Sequence, residues 1–168
     1  MIFLTVGTQF PFDRLVKAVD EAVGGNKLND EIVAQVGSTT YRPKNFEAVS
    51  SMEKGLFDRH FNESDFVISH AGMGTITLAL ERQKPLLVMP RLKKYGEVVN
   101  DHQLAIAKKF EDLGYLLVAY DVEGIPAGIE KLRTFVPQIR RPQARLVADR
   151  ISVFLDELSV VGSKSVKR

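Results

Sequence analysis

The residues best suited to chemistry form the segment Ser69-His70-Ala71-Gly72-Met73-Gly74-Thr75, which joins an apolar run to an amphipathic one. Glycines let a ligand approach the backbone closely, and free N–H groups at a helix start attract an anion such as a diphosphate. The spacing differs from GxGxxG, whose third glycine would fall on Thr77, and no Gly-Lys-Ser/Thr follows as in a P-loop. The segment predicts either a phosphate-binding turn or a tight strand-to-helix turn without a ligand.

Three other segments could contribute to the same chemistry. Gly7-Thr8-Gln9 follows the first apolar run, and a small hydroxyl residue beside a helix start can bind a phosphate oxygen. Asp101 and Gln103 begin a later helix, where they could take the hydroxyls of a ribose or hexose or simply cap the helix. The basic cluster before them either neutralises a diphosphate or forms a solvated loop: Arg91, Lys93 and Lys94.

Metal and hydrolase chemistry are not supported. The absence of cysteine excludes disulfides and thiolate metal sites, and it favours a reducing cytoplasm. His60, His70 and His102 show no ligand spacing, and we expect His60 on a helix surface. No GxSxG motif indicates a serine hydrolase. We therefore expect neither a metal nor any other cofactor.

The elements that must position these residues are short apolar runs alternating with amphipathic stretches. This alternation predicts an α/β, Rossmann-like fold of three layers, a parallel sheet with helices on both faces. A helix capped by Ser50 or Ser51 is expected in the first half, and another over residues 142–158. The predicted strands are residues 2–6, 31–36, 46–49, 66–69, 85–89 and 115–119.

The loops after the strands should meet at one edge of this sheet. Ligands of such sheets bind beyond the carboxyl ends of the strands, near a topological switch point. We therefore expect the functional site at this edge. The loops concerned are Gly7–Gln9, Gly37–Thr40, His70–Thr75 and Arg91–Gly96.

Length and charge limit the remaining possibilities. The 168 residues, 45% of them hydrophobic, fit one domain, expected over residues 1–161, with a disordered tail at 162–168. Residues 131–168 contain nine basic and three acidic side chains, although the whole chain has a net charge of only +2. This asymmetry indicates a membrane surface, an acidic partner or a solvated helix face. No aromatic-basic pattern favours nucleic acid, and no apolar run is long enough to span a membrane.

Several of these motifs occur together in one known family. Taken in order, they resemble the C-terminal, donor-binding half of glycosyltransferase family 28, which has the GT-B architecture. The resemblance extends from Met1 to about Ala119. Within the family, the sequence is similar in detail to the stand-alone PssE-type subunit of bacterial exopolysaccharide synthesis. It is also similar to the small cytosolic subunit of the eukaryotic enzyme that adds the second GlcNAc to the dolichol-linked oligosaccharide. The motifs that carry it are Thr5–Thr8, Phe12–Leu15, Ile68–Thr75, Lys84–Pro90 and Asn100–Gln103.

The resemblance implies a hexosyltransferase subunit that binds a UDP-sugar without a metal. It implies a membrane-associated PssD-type partner, which binds a lipid-linked saccharide acceptor and carries the base. The chain would then lie in the cytoplasm, peripheral at the inner face of the membrane, and could form a homo-oligomer in isolation. The implied donor-binding residues are Gly7, Thr8, Gln9, His70, Gly72, Met73, Gly74, Thr75, Asp101 and Gln103.

One departure from the family pattern supports an alternative. Family members that use UDP-GlcNAc commonly have a ribose-binding glutamate where this chain has Leu78, and the nearest carboxylate is Glu81. The loss of the ribose-binding glutamate favours a non-catalytic interaction protein that stabilises or activates a membrane glycosyltransferase. The two glycine loops favour donor binding instead. A nucleotide-dependent oxidoreductase is disfavoured, because the third glycine and an acidic ribose partner are both missing.

Overall fold

The computed structural model describes residues 1–26, 28–139 and 152. Six strands form one parallel sheet in the order β3-β2-β1-β4-β5-β6. The strands are β1 Ile2–Thr5, β2 Ile32–Gln35, β3 Ala48–Val49, β4 Phe66–His70, β5 Leu86–Met89 and β6 Leu117–Val118. The helices are α1 Asp13–Gly24, α2 Lys54–Glu63, α3 Met73–Glu81, α4 His102–Asp112 and α5 Gly124–Leu132, and a 3₁₀ turn covers Lys93–Tyr95.

Alternate residues of the central strand face opposite layers. Ile2 and Leu4 belong to a core cluster with apolar residues of α1 and α5. Phe3, between them, belongs to a second cluster with residues of α2, α3 and α4. Because successive side chains of a strand point to opposite faces, the two clusters are the two helix layers on either side of the sheet. The predicted three-layer α/β fold is confirmed.

The side on which successive strands are added to the sheet changes between β1 and β4, which makes this the topological switch point. After β1 it forms β2 and β3 on one side, and then crosses back to place β4 on the other side of β1. The carboxyl ends of β1 and β4 therefore diverge into helices on opposite faces, which leaves a crevice between their loops. Thr5 pairs with Ser69 in this register, so Val6, which begins the loop after β1, lies beside His70, the last residue of β4.

Several element boundaries differ from those predicted. The third and sixth strands contain only two residues each, Ala48–Val49 and Leu117–Val118. The second helix begins at Lys54 after Glu53, so neither Ser50 nor Ser51 caps it. The predicted helix over 142–158, apart from residue 152, and the predicted tail at 162–168 lie outside the described residues. Within the described part of the chain, no helix is long and apolar enough to cross a membrane.

Candidate functional site

A cleft of about 540 Å³ lies at the carboxyl edge of the sheet, at the switch point between β1 and β4. Loops after β1, β4 and β5 line it, together with side chains from α2 and α4. Nine of the ten predicted donor-binding residues line this cleft: Gly7, Thr8, Gln9, His70, Gly72, Met73, Gly74, Thr75 and Gln103. The tenth, Asp101, does not line it, and its carboxylate accepts a hydrogen bond from the backbone N–H of Lys93 at 2.7 Å.

The imidazole of His70 lies between two glycines. A Cβ placed on Gly72 would be 2.2 Å from Nε2 of the ring, and one placed on Gly7 would be 3.0 Å from Cε1. Gly7 also has a φ of +74°, which side chains rarely adopt. Both glycines are therefore needed to make room for the His70 ring, a reason that their spacing in the sequence did not reveal.

Hydrogen bonds fix the tautomer of His70. The Ser69 hydroxyl donates its only proton to the Thr5 carbonyl at 2.6 Å. The same hydroxyl oxygen is 3.2 Å from Nδ1 of His70. Because that oxygen has no second proton to give, Nδ1 must be the donor, and Nε2 is left unprotonated. Burial, followed by the charge of Arg91, lowers the pKa of His70 to about 4, so the ring is neutral at pH 7.

The N-terminus of α3 opens into the cleft. Its N-cap residue is Gly72, which has no side chain to cap the helix, and the Ile76 N–H bonds to the Gly72 carbonyl at 3.1 Å. The N–H groups of Met73, Gly74 and Thr75 belong to the first turn, where an α-helix provides no acceptor of its own. A Cβ at Gly74 would meet nothing within 4 Å. This first turn can therefore receive an anion at close range.

Arg91 lines the cleft, but it is a buried side chain and not part of a solvated loop. Only 3% of its surface is accessible, and its Nη2 donates to the carbonyls of Val6 at 2.7 Å and Phe10 at 2.6 Å. Its guanidinium also lies 4.9 Å from the centre of the Phe12 ring. Burial lowers the pKa of Arg91 to about 10, so it stays charged and holds both ends of the first glycine loop.

The other two basic residues of the cluster, Lys93 and Lys94, are exposed and do not line the cleft. Gln103 is buried, and its Oε1 accepts the backbone N–H of Arg91 at 3.1 Å. Gln103 therefore positions Arg91 as well as lining the cleft. The α4 helix, Arg91 and the first glycine loop form one connected structure.

A half-buried ion pair holds the loop after β5 in place. Arg14 of α1 donates through Nε and Nη2 to the two carboxylate oxygens of Glu97, both at 2.9 Å, and Nη2 also donates to the Pro90 carbonyl at 2.9 Å. The Leu92 N–H donates to the same carboxylate at 2.9 Å. Sequence analysis missed this pair because its members are 83 positions apart.

Two carboxylates of α1 organise the loop after β2. Asp13 accepts from the N–H and hydroxyl of Thr40, at 2.9 and 2.8 Å. Asp20 accepts from the N–H groups of Lys44 and Asn45, at 3.0 and 2.8 Å, and from the Tyr41 hydroxyl. Burial alone would raise the pKa of each carboxyl, but these hydrogen bonds outweigh it and lower both pKa values. The Phe12-Asp13 motif thus has a structural function.

The loop Gly37–Thr40 reaches the expected edge without lining the cleft. Gly37 has a φ of +57°, and a Cβ there would be 2.4 Å from the carbonyl oxygen of Gly7. The Thr39 hydroxyl accepts the Phe12 N–H at 3.0 Å. This loop therefore supports the first glycine loop from behind.

His60 is not the surface residue that was expected. It is half-buried, its ring stacks on Phe3 with 6.1 Å between centroids, and its buried Nδ1 has no partner within the described part of the chain. None of the described residues form a group of three or more His, Cys, Asp or Glu that could hold a metal ion.

The family model for the glycosyltransferase family 28 C-terminal domain matches residues 1–151. The chain belongs to this family. The matched range includes every residue of the cleft.

Relatives of this family 28 chain include two proteins named UDP-N-acetylglucosamine transferase subunit ALG13. The human protein is 34% identical over 128 residues, which cover 68% of this chain and 10% of that protein. The Saccharomyces cerevisiae protein is 37% identical over 94 residues, which cover 52% of this chain and 45% of that protein. The matches thus span less than half of the length of either relative.

Solved structures support the fold. MurG of Acinetobacter baumannii superimposes with a TM-score of 0.60 at 20% identity, covering 80% of this chain and 42% of MurG. The NMR structure of ALG13 superimposes with a TM-score of 0.57 at 21% identity, covering 89% of this chain and 93% of that one. The predicted Rossmann-like half of a GT-B glycosyltransferase is therefore confirmed as the fold.

Proposed function

We propose that this chain is the UDP-sugar-binding subunit of a two-subunit hexosyltransferase. The observation that carries the proposal is the uncapped first turn of α3, which opens into the switch-point cleft beside His70 and the Gly7 loop. The names of the human and yeast relatives, transferase subunits for UDP-N-acetylglucosamine, support this assignment. UDP-N-acetylglucosamine is accordingly the first donor to test.

In this proposal, the N–H groups at the start of α3 and in the Gly7–Thr8 loop bind the diphosphate. The helix dipole and these donors stabilise the charge that develops on UDP as the glycosidic bond breaks. The buried positive charge of Arg91 adds to the positive potential in the cleft. His70 can donate from Nε2 only after it takes up a second proton, which an approaching diphosphate favours electrostatically.

The second subunit supplies what this cleft does not contain. Within the described part of the chain, no Asp or Glu lines the cleft, so no carboxylate there can deprotonate an acceptor hydroxyl. We therefore assign the base and the acceptor site to a membrane-associated partner of PssD type, with a lipid-linked saccharide as acceptor. The proposal extends to a role in exopolysaccharide synthesis and to a position at the cytoplasmic face of the membrane, both of which the sequence resemblance implies.

Binding is tested first, by calorimetry with UDP and a panel of UDP-sugars. Gly74→Asp should abolish binding, because the new carboxylate would lie where the diphosphate charge must go. Gly74→Ala is the matched control, and since a Cβ there meets nothing within 4 Å it should leave the fold intact. A folded Gly74→Asp variant that binds UDP as tightly as the wild type would contradict the assignment. The absence of UDP binding to the wild type would instead favour the non-catalytic alternative.

Transfer is tested next, with a lipid-linked acceptor. The purified chain alone should bind the donor and transfer no sugar, because positioned general base catalysis contributes a factor of about 10²–10⁴ and is missing here. Co-expression with the partner should restore transfer. Robust turnover by the purified chain alone would refute the two-subunit assignment.

A further inference from the structure

One wall of the cleft is held from behind by side chains that do not line it. This wall belongs to residues 91–101, which we call the β5 loop. Arg91 lines the cleft where the loop begins, and Val98 lines it near the other end. Glu97, the neighbour of Val98, does not line the cleft, and neither does its partner Arg14. Arg14 belongs to α1, in the helix layer on the opposite face of the sheet from α3 and α4. The ion pair therefore ties a wall of the cleft to the other layer.

The carboxylate of Glu97 is occupied by three hydrogen bonds. It accepts Nε and Nη2 of Arg14, both at 2.9 Å, and the backbone N–H of Leu92, also at 2.9 Å. The bond to Leu92 closes the loop on itself, and the side chain of Glu97 is only 10% accessible. Because a bidentate pair fixes direction as well as distance, Glu97 cannot turn without moving the loop.

The guanidinium of Arg14 is itself held in place. It lies 4.6 Å from the centre of the Tyr95 ring and 5.3 Å from that of Phe12. Its Nη2 also donates to the carbonyl of Pro90, the residue before the loop, at 2.9 Å. Arg14 thus contacts the loop at its start and at its middle. An exposed ion pair with two mobile partners contributes little, but here both partners are fixed by other contacts.

Glu97 also acts on the first glycine loop, through Arg91. Burial lowers the pKa of Arg91, and the negative charge of Glu97 partly opposes this effect. Arg91 in turn donates to the carbonyls of Val6 and Phe10. Glu97 therefore supports two loops of the cleft, one by hydrogen bonds and one by charge.

We propose that Arg14 and Glu97 are positioning residues of the cleft, and that their ion pair sets the affinity for the sugar nucleotide without touching it. The inference rests on the proposed function, because it assumes that a UDP-sugar binds in the cleft. It adds that tight binding needs the contact between α1 and the back of the β5 loop. A supporting layer of this kind keeps binding groups within the small tolerances that recognition requires.

Two variants separate position from charge. Arg14→Met removes a positive charge near the cleft, whereas Glu97→Gln removes a negative one. If the pair acted on a diphosphate only through its charge, the first variant would weaken binding and the second would strengthen it. If the pair positions the wall, both variants should weaken UDP-N-acetylglucosamine binding by about threefold to thirtyfold in calorimetry. Unchanged or tighter binding by folded Glu97→Gln would overturn the inference.

Two control variants address a general loss of stability. Ile129→Val shortens a buried side chain of α5, and it should lower the melting temperature without changing the affinity. Lys17→Met removes an exposed ion pair of α1, in which Lys17 lies 3.7 Å from Glu21, and it should change neither quantity. If Ile129→Val weakens binding as much as Arg14→Met does, the effect is general destabilisation and the inference is wrong.

NMR of the histidine rings reports the position of the wall without a nucleotide. His70 and His102 line the cleft, and His60 does not. Arg14→Met and Glu97→Gln should both shift the Cε1 proton resonances of His70 and His102 and leave that of His60 in place. Unchanged resonances of His70 and His102 in both variants would show that the wall has not moved, which contradicts the inference.

The outcomes separate this inference from the function on which it rests. If the folded wild type binds no UDP-sugar, the proposed function fails, and the inference fails with it. If the wild type binds and Glu97→Gln binds equally well, only the inference fails.

Discussion

Replacement of Gly72 by alanine measures how tightly the His70 ring is held. Gly72 has φ −87° and ψ 136°, which any residue can adopt, so backbone strain does not enter. The new methyl group would be 2.2 Å from Nε2 and 2.8 Å from Cδ2 of His70, closer than atoms can approach. The ring must therefore move, at the usual cost of overpacking, about 1–3 kcal/mol in the free energy of unfolding. For a chain of this size, each kcal/mol lowers the melting temperature by about 2–4 °C.

The same collision should change the titration of His70. A displaced ring is less buried than one held between the two glycines, so the pKa of His70 should rise from about 4 toward the ordinary value for histidine. Urea unfolding gives the stability change, and NMR of the histidine Cε1 protons gives the pKa. Gly74→Ala is the matched control, because its methyl group meets nothing within 4 Å and should leave both measurements near the wild type.

A double-mutant cycle decides whether the ring is the cause. His70→Ala removes the atoms that collide, so Gly72→Ala should cost much less in that background than in the wild type. Equal costs in the two backgrounds would refute the reasoning, as would a Gly72→Ala variant with wild-type stability and an unchanged His70 pKa.

Three further measurements test other parts of the structure. In the unfolded chain His70 is protonated below its ordinary pKa, whereas in the folded chain it stays neutral down to about pH 4. The free energy of unfolding should therefore fall as the pH decreases from about 6.5 to 4. His70→Gln should flatten this part of a series of urea denaturations at different pH values. UDP should bind equally well in Mg²⁺ and in EDTA, since the cleft has no carboxylate within the described residues, and a tenfold loss in EDTA would contradict this. Asp20→Ala should lower the free energy of unfolding by about 1–3 kcal/mol, because the N–H groups of Lys44 and Asn45 lose the buried carboxylate that accepts their hydrogen bonds, and a change below about 0.5 kcal/mol would show that water replaces the carboxylate.

Local patterns were enough to predict the sheet and the place of the site. The residues Phe66, Val67 and Ile68 are all apolar and glycines follow at 72 and 74, and a strand and a helix start lie there in the structure. The rule that loops of a parallel sheet meet at its carboxyl edge then placed nine of the ten predicted residues in one cleft. These inferences need only neighbouring residues and a general rule of topology.

Contacts between distant positions could not be predicted in this way. In the sequence, Arg91 belongs to a basic cluster that could either neutralise a diphosphate or form a solvated loop. Only the folded chain brings it to the carbonyls of Val6 and Phe10, 85 and 81 positions away. Asp13 reads as a residue of the first helical turn, and its partner Thr40 belongs to another loop. Such side chains decide how the glycine loops are held, yet periodicity carries no information about their partners.

The charges of the cleft explain why, on the proposed function, it binds a donor without completing a reaction. The start of α3 and the buried Arg91 both favour negative charge, which suits a departing diphosphate. The acceptor hydroxyl needs the opposite kind of group, one that takes a proton near pH 7. His70 is a poor base there because its pKa is about 4, and the cleft residues that the structure describes include no carboxylate. The other histidine that lines the cleft, His102, is an exposed side chain at the start of α4. A carboxylate added to this cleft would repel the diphosphate, so placing the base on a separate subunit satisfies both requirements.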